Sequence, residues 1–436
     1  MRHDCAAQRP NIFQRLTRQW SAVYPFNGAQ VVILSEETGG RDWDGAWRLA
    51  CQDLGLGRLL CAGGRYRHEA LGCEMGKDCV CHEGGTSLEE VIEKGMNQRI
   101  SLAETGPFRP FVGSLAGQHC AGIIYEHWVA DSLSVRMVMR RWLERALEGS
   151  DACNPRPMRW PAGGFARHFG PQTGAWNPVP AILDGARFVD RMRRVRALKI
   201  VESSPWRTGF LIARGTDGLL DRLKAAARAM GATVNDLLVA AALEAVAREL
   251  PIANRSKRRR DWAVGSIVDL RRQGNGLADV FGNFLGFTAA FARPAEVTDW
   301  RRLVAVVNRQ TRRDKQTGAA AASCMMMAVA LAARCVLDSS KTAYFCRLHA
   351  PLTAGVSNVN LTRQWPSRWE GDPIVDWVRA SPTGPMAPLV FAVTSFGRGL
   401  SIGVTFRESI VNRATAQRVT DAFLDRLERI HHPPLP

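Results

Sequence analysis

The alternation of apolar and polar positions predicts both helices and strands along the chain. The predicted helices are 132–147, 216–230, 233–250 and 415–430. The predicted strands are 121–125, 262–268, 284–291, 389–395 and 400–406. Between the last two strands, the sequence Gly397-Arg398-Gly399 is typical of a β-hairpin turn. Because strands and helices intermix, the expected class is α/β, or an α+β two-layer sandwich whose sheets are covered by helices.

One uncharged run, Gly318 to Ala333, raises the question of a membrane span. Arg334 ends the run after 16 residues, which is shorter than the roughly 20 residues that cross a bilayer. The run is also rich in alanine and contains Ser323 and Cys324. We therefore expect a buried helix, with contact at a membrane surface as the alternative.

A stretch dense in proline and glycine, from Asn154 to Pro180, divides the chain. Such a composition disfavours regular structure and is typical of a connection between lobes. A basic segment from Arg187 to Lys199 follows it. We expect an N-terminal lobe over residues 1–158, a linker over 159–205 and a C-terminal lobe over 206–436.

The net charge of the chain indicates which classes of partner are expected. The chain has 436 residues, which suits two lobes better than one core, and its formal net charge is +17. This excess favours phosphorylated cofactors, an acidic carrier protein or an anionic membrane, or else it belongs to a solvated basic surface. The run from Asn254 to Arg260 is either a solvated loop or a contact for such anions. No nucleic-acid motif accompanies the run, so nucleic acid is not an expected partner.

The cysteines and the N-terminus favour the cytoplasm. The 11 cysteines do not follow the spacing of a secreted disulfide framework, and no apolar leader is present in residues 1–20. The expected location is cytoplasmic, with the inner membrane surface as an alternative. Cys73, Cys79, Cys81 and His82 have ligand types that zinc prefers, but their irregular spacing favours unpaired thiols, and we expect no metal.

The segment Glu126 to Ser132 carries the candidate chemistry. His127 follows the apolar run 121–125, and Asp131 comes four positions later, just before a predicted helix. Imidazole has a pKa near 6.5, so a histidine at a strand end is suited to act as a general base. The alternative is a buried histidine with a purely structural role. Asp131 has an alternative role as well, because an acidic residue at that position caps a helix.

His127-x-x-x-Asp131 resembles the HHxxxDG signature of a large acyltransferase superfamily. Its members include chloramphenicol acetyltransferase, nonribosomal-peptide condensation domains, plant BAHD acyltransferases and bacterial wax ester synthases. Further segments resemble the family in the right order, and they are 108–111, 233–242, 268–272 with 282–284, and 355–359. The resemblance spans nearly the whole chain. It implies two lobes of the chloramphenicol-acetyltransferase type around a central channel.

The resemblance implies roles for particular residues. The second histidine of the signature is the family's base, and its match here is His127. The family's aspartate points away from the substrate and pairs with an arginine, whose match is Arg271 in the Asp269-Leu270-Arg271 stretch. We therefore expect Asp131 to support the site through a salt bridge with Arg271, and not to relay charge.

The family's oxyanion donors come from the second half of the chain. The nearest matches are Asn283, Ser357 and Asn358. Each residue has an ordinary alternative: Asn283 suits a turn, and Ser357 suits a strand.

The signature departs from the family at its two outer positions. Glu126 replaces the first histidine and Ser132 replaces the final glycine. The resemblance implies an acyltransferase that moves an acyl group from coenzyme A or a carrier protein to a hydroxyl or amine. Transfer would be direct, in a ternary complex, with His127 as the base and with no bound cofactor. The alternative is a catalytically silent relative that binds acyl chains or a carrier protein.

Overall fold

The computed structural model describes residues 7–35, 40–70, 79–84, 86–148, 157–161, 178–201, 206–253, 256–273, 277–334, 350–362, 365 and 374–430. The helices are α1 (Ile12–Val23), α2 (Trp43–Leu54), α3 (Leu88–Asn97), α4 (Ser132–Glu148), α5 (Pro178–Arg193), α6 (Leu219–Ala229), α7 (Val234–Glu249), α8 (Pro294–Val297), α9 (Trp300–Thr317), α10 (Ala319–Arg334) and α11 (Arg413–Glu428). The strands are β1 (Asn27–Leu34), β2 (Gly57–Ala62), β3 (Arg65–Ala70), β4 (Val80–Gly84), β5 (Phe108–Leu115), β6 (Gln118–Glu126), β7 (Thr208–Arg214), β8 (Trp262–Asp269), β9 (Leu285–Ala292), β10 (Ala354–Asn360), β11 (Ile374–Ala380), β12 (Leu389–Phe396) and β13 (Gly399–Arg407).

The first compact unit comprises Met1–Phe169, Arg271–Phe284 and Ser367–Val378. Its sheet has the order β11-β1-β6-β5-β4, in which β6 runs antiparallel to both β1 and β5. Strands β2 and β3 pair separately. Edge-to-face tryptophan contacts join α2 to α4, with Trp142 against both Trp43 and Trp47. The central strand β6 is buried from Cys120 onward, and it ends at the candidate site.

The second unit comprises Gly170–Leu270, Leu285–Pro366 and Arg379–Pro436. Its sheet has the order β7-β13-β12-β10-β8-β9, with parallel pairing of β10 to β8 and to β12. Helix α7 packs on β8 and β10 and on helices α9 and α11. The apolar face of α7 is fully buried, and each buried leucine there contributes about 1.5–3 kcal/mol.

Most predicted elements are present within a few residues. Thr233 caps α7 with a capping box that includes Asp236, as predicted, and Gly397 has the positive φ of 55° that the hairpin turn needs. The run 318–333 forms α10, and the Oγ atom of Ser323 accepts a hydrogen bond from the backbone N–H of Phe287. The predicted helix is thus present, and five of its described residues are buried: Ala320, Ser323, Cys324, Met327 and Leu331.

The two units differ from the predicted limits of 1–158 and 206–436. Residues 271–284 belong to the first unit because their backbone and side chains hydrogen-bond to the start of α4. The predicted linker 159–205 also contains a helix, since Pro178 begins α5, and proline is well tolerated in the first turn of a helix. Residues 162–177 of that linker lie outside the described part of the chain.

Within the described residues, no single helix is long and apolar enough to cross a bilayer. Helices α6 and α7 pass that test only as a pair, with a bend of 99° between them.

Candidate active site

Strand β6 carries His127 to its position at the end of a buried strand. The backbone N–H of Glu126 donates to the carbonyl of Pro107, and that of His127 donates to the carbonyl of Phe26 at 3.1 Å. The strand therefore continues through the two residues before the chain turns. After the turn, Ser132 begins α4, and its backbone is not in the left-handed region. A serine in place of the family's glycine thus adds no backbone strain.

The imidazole of His127 lies in an aromatic pocket. Its ring centroid is 5.7 Å from that of Phe26 and 5.6 Å from that of Tyr125. Only 8% of its surface is exposed. Burial lowers the pKa of His127, although a hydrogen bond to its own backbone carbonyl and the negative charge of Asp131 act in the opposite direction. Burial thus favours the neutral form of the imidazole, which is the form that can accept a proton.

Asn283 contacts both the backbone and the ring of His127. Its Nδ2 atom donates at 2.6 Å to the carbonyl of His127, which also accepts a hydrogen bond from the imidazole. The same Nδ2 atom is 3.4 Å from Nδ1, and the roles of donor and acceptor in that contact depend on the tautomer of the ring.

Asn283 is fully buried, and its amide N–H groups face His127. This geometry fixes the backbone of the base. It favours a positioning role for Asn283 over the predicted role as an oxyanion donor. The peptide carbonyl of Asn283 in turn accepts from Nδ2 of Asn11 at 2.6 Å, so the N-terminus of α1 holds this residue.

Asp131 is the anchor of the loop. Its Oδ2 atom is 2.5 Å from Nη1 of Arg271, and both side chains are 1% exposed. The backbone N–H groups of Ser134 and Phe284 donate to its two carboxylate oxygens, each at 3.0 Å. Burial pushes the pKa of Asp131 upward, but the charge of Arg271 and these hydrogen bonds prevail and hold that pKa below its usual value. The predicted salt bridge is present, and its geometry is that of a structural anchor.

Ser134 completes the anchor. Its hydroxyl donates to the carbonyl of Gly282 at 2.7 Å, and it accepts from the N–H of Gly282 and from Nη2 of Arg271. Gly282 has a φ of 145°, and a Cβ there would lie 3.0 Å from the ring of Phe284. Glycine is therefore required at this position, and the segment after it delivers Asn283 to His127.

Two glutamines from neighbouring elements also hold the loop. Gln14 of α1 donates to the carbonyl of Val129 at 3.4 Å, and Gln30 of β1 donates to the carbonyl of Ser132 at 2.8 Å. Because several independent elements fix this one turn, the orientation of His127 does not depend on a single contact.

Glu126 is buried as well, with 5% of its surface exposed. Burial raises its pKa to about 7, while a hydrogen bond from Ser21 and the charge of Arg99 act in the opposite direction. Among the described residues, its Oε1 atom has no hydrogen-bond partner. A buried carboxyl group with a raised pKa therefore precedes His127 in the chain.

The remaining predicted residues lie in the second unit. Asp269 is exposed at the end of β8, opposite Leu285. Ser357 on β10 accepts hydrogen bonds from the buried guanidinium of Arg379, through its Oγ at 3.3 Å and its carbonyl at 2.7 Å. Asn358 pairs with Val393 of β12 and is half-buried. The oxyanion roles of Ser357 and Asn358 stay predictions.

The cysteine segment shows no ligand cluster in the part that the structure describes. Cys79 is buried, Cys81 is exposed, and Cys73 lies outside the described residues. No group of three potential ligands comes together within the described ranges.

Sequence reasoning missed several residues that hold the loop. Asn11 and Gln14 form a capping box at the start of α1, and this spacing is readable in the sequence. Their long-range contacts are not readable, because Asn11 and Asn283 are 272 positions apart. Ser134 gave no signal either, since a serine in the first turn of a helix is common.

Comparison with known proteins extends this description. The family model described as the WS/DGAT C-terminal domain matches residues 281–431. No curated protein matches the chain.

Solved structures resemble the whole chain. The condensation domain of the Monacolin K polyketide synthase MokA has a TM-score of 0.64 at 13% identity, covering 98% of this chain and 97% of that one. The first condensation domain of the calcium-dependent antibiotic synthetase, in complex with a substrate analogue, gives 0.64 at 15% identity, covering 98% of each chain. The SgcC5 protein from Streptomyces globisporus gives 0.60 at 15% identity, covering 98% and 100%. The fold is therefore that of condensation domains, and the predicted resemblance to this superfamily is confirmed.

Proposed function

We propose that the protein transfers an acyl group from a thioester to a hydroxyl or amine acceptor, with His127 as the general base. The observation that carries the proposal is a buried imidazole at a strand end, on a loop anchored by the Asp131–Arg271 pair. The condensation-domain fold and the WS/DGAT family match support acyl transfer as the reaction class. The donor is coenzyme A or an acyl carrier protein, both of which present a thioester on a phosphopantetheine arm.

We assign the ring proton to Nδ1, where it satisfies the backbone carbonyl of His127, so that the lone pair lies on Nε2. As the acceptor oxygen or nitrogen attacks the thioester carbonyl carbon, its proton moves to Nε2 of His127. The tetrahedral intermediate then collapses, the carbon–sulfur bond breaks, and the proton passes to the departing sulfur. His127 thus both accepts the proton of the acceptor group and donates it to the leaving thiolate, and no covalent acyl-enzyme forms.

Asn283 and Asp131 act as positioning residues in this proposal. Asn283 holds the carbonyl that also receives the Nδ1 proton, so it keeps Nε2 as the free acceptor. Asp131 anchors the turn but directs its oxygens to Arg271 and to backbone N–H groups, not to the imidazole. Precise placement of the base is worth a large share of the rate, because small displacements of a catalytic group are costly.

The test is acceptor-dependent thiol release from acyl-CoAs of increasing chain length and from acyl carrier protein. We expect His127→Ala to lower the rate about 10²–10⁴-fold while circular dichroism still shows a folded protein. His119 lies at the opposite end of the same strand, and His119→Ala is the matched control that should keep wild-type activity. Since burial lowers the pKa of His127, the acid limb of the rate profile should have its midpoint below pH 6.5.

The outcomes separate the two readings of the site. Release that requires an acceptor and collapses only in the His127 variant supports acyl transfer. If the folded wild type binds acyl thioesters or carrier protein tightly but releases no thiol from any donor, the proposal is wrong and an accessory binding role replaces it.

A further inference from the structure

One face of the second unit concentrates positive charge. Helix α5 leads into an extended segment, 194–201, which lies beside residues 252–261 through the backbone pairs Val195–Asp261 and Leu198–Ile252. The N–H of Arg260 donates to the carbonyl of Arg194 at 2.9 Å, and the N–H of Ala253 donates to that of Ala197 at 2.9 Å. These two neighbouring segments and helix α5, which leads into the first of them, are here called the arginine face.

The arginine face has few acidic residues to balance it. Residues 185–201 and 256–261 contain ten lysines and arginines but only two aspartates, Asp190 and Asp261. Asp190 pairs with Arg194, and Asp261 lies in the field of several arginines at once. Lys257 and Arg258 are exposed, and no carboxylate in the described part of the chain forms a salt bridge with either. Cations held this close repel one another unless an anion neutralises them.

The same face exposes branched apolar side chains. Val189, Val201 and Ile252 are 48%, 47% and 37% exposed. They are three of the six large apolar residues that are exposed in the described ranges. Apolar residues interspersed among cations are typical of a surface that enters the boundary between lipid headgroups and acyl chains.

Helix α5 packs against strand β9 through aromatic side chains. Phe188 of α5 contacts Phe287 and Phe291 of β9, with ring centroids 5.9 Å and 5.8 Å apart. The guanidinium of Arg191 lies over the ring of Phe291 at 4.1 Å. The charged side chains thus project from a fixed base, so their arrangement is a stable property of the fold.

We propose that the arginine face docks the protein on an anionic lipid surface. Each basic residue near such a surface adds attraction, and Val189 and Ile252 add burial that a soluble polyanion would not offer. Helix α10 is not part of this proposal, because its described residues Ala320, Ser323, Cys324, Met327 and Leu331 are buried. The docking is independent of acyl transfer and needs no substrate.

The test is co-sedimentation of the full chain with phosphatidylcholine vesicles, with and without phosphatidylglycerol. We expect binding only to the anionic vesicles, falling as salt rises. The variant K257E/R258E/R260E should bind roughly a hundredfold more weakly, whereas R228E/R301E/R398E, with the same charge change at exposed sites elsewhere on the unit, should bind nearly as wild type.

A second variant distinguishes lipid from other anions. V189S/I252S should weaken vesicle binding several-fold and leave binding to heparin unchanged. Absence of binding to anionic vesicles, equal losses in both charge variants, or full vesicle binding by V189S/I252S would overturn the proposal. Equal losses in the two charge variants would mean that binding depends on general charge. Full vesicle binding by V189S/I252S would assign the face to a soluble acidic partner such as a carrier protein.

Discussion

Glu126 and Asp131 stand at the two ends of the loop that carries His127, and both are buried, with 5% and 1% of their surface exposed. Asp131 meets a guanidinium and two backbone N–H groups, and its pKa is lowered. Glu126 has one oxygen without a partner among the described residues, and burial raises its pKa to about 7. Two buried carboxyl groups five positions apart therefore have pKa values shifted in opposite directions.

Asp131 therefore stabilises the loop, whereas Glu126 destabilises the fold when it is ionised. A buried charge stabilises a structure only when its partners repay the lost hydration, as they do at Asp131. At Glu126 the hydrogen bond from Ser21 and the charge of Arg99 do not offset burial, so the ionised form is costly.

The largest effect should come from breaking the anchor. Arg271→Met leaves the Asp131 carboxylate buried without its cation, so we expect the free energy of unfolding to fall by about 3–5 kcal/mol in urea denaturation. Activity should fall with it, because the loop of His127 loses its support.

A double variant tests whether the loss comes from the unpaired charge. Arg271→Met with Asp131→Leu removes both charges and should recover a large part of the stability. If the double variant is no more stable than Arg271→Met alone, the cost lies in the hydrogen bonds of Arg271 to the carbonyls of Val280 and Gly282.

Replacement of Glu126, in contrast, should increase the free energy of unfolding at neutral and higher pH. Its pKa is raised in the folded state, so the folded protein holds a proton that the unfolded chain releases, and stability falls as the pH rises from about 4.5 to about 7. Glu126→Gln removes this dependence. We expect the variant to be about 1–3 kcal/mol more stable than wild type at pH 8 and equal to it at pH 4.5.

The measurement is urea unfolding at both pH values, with Glu69→Gln as an exposed control that should change neither. A variant that is less stable at pH 8 would mean that Glu126 is ionised and satisfied in the folded protein. Thiol-release rates of Glu126→Gln show whether the buried carboxyl group contributes to the activity that depends on His127.

Local pattern was enough to predict much of this structure. Helical spacing and the Thr233 cap gave α4, α7 and α11, and the Asp269-Leu270-Arg271 stretch gave the partner of Asp131 through a family resemblance. The exchange of 271–284 into the first unit was not predictable from periodicity, because it depends on contacts between positions far apart in the chain. Glu126 looked like a simple departure from the signature, and only its burial shows a perturbed acid.

The smallest expected effect concerns the link from α1 to Asn283. Asn11 has two separate tasks: its Oδ1 accepts from the N–H of Gln14 as a helix cap, and its Nδ2 donates to the carbonyl of Asn283. Asn11→Ala removes both and should cost about 1 kcal/mol of stability. Asn11→Ser keeps the cap but is too short to reach Asn283, so stability should stay near wild type.

The two variants therefore separate capping from positioning. If the link orients the base, thiol release should slow in both variants by a similar factor, although only Asn11→Ala is destabilised. Unchanged rates in Asn11→Ser would mean that Arg271 and Ser134 alone hold Asn283 in place. The contribution of Asn11 would then be limited to the cap of α1, whereas Gln14 of the same helix would still hold the loop through the carbonyl of Val129.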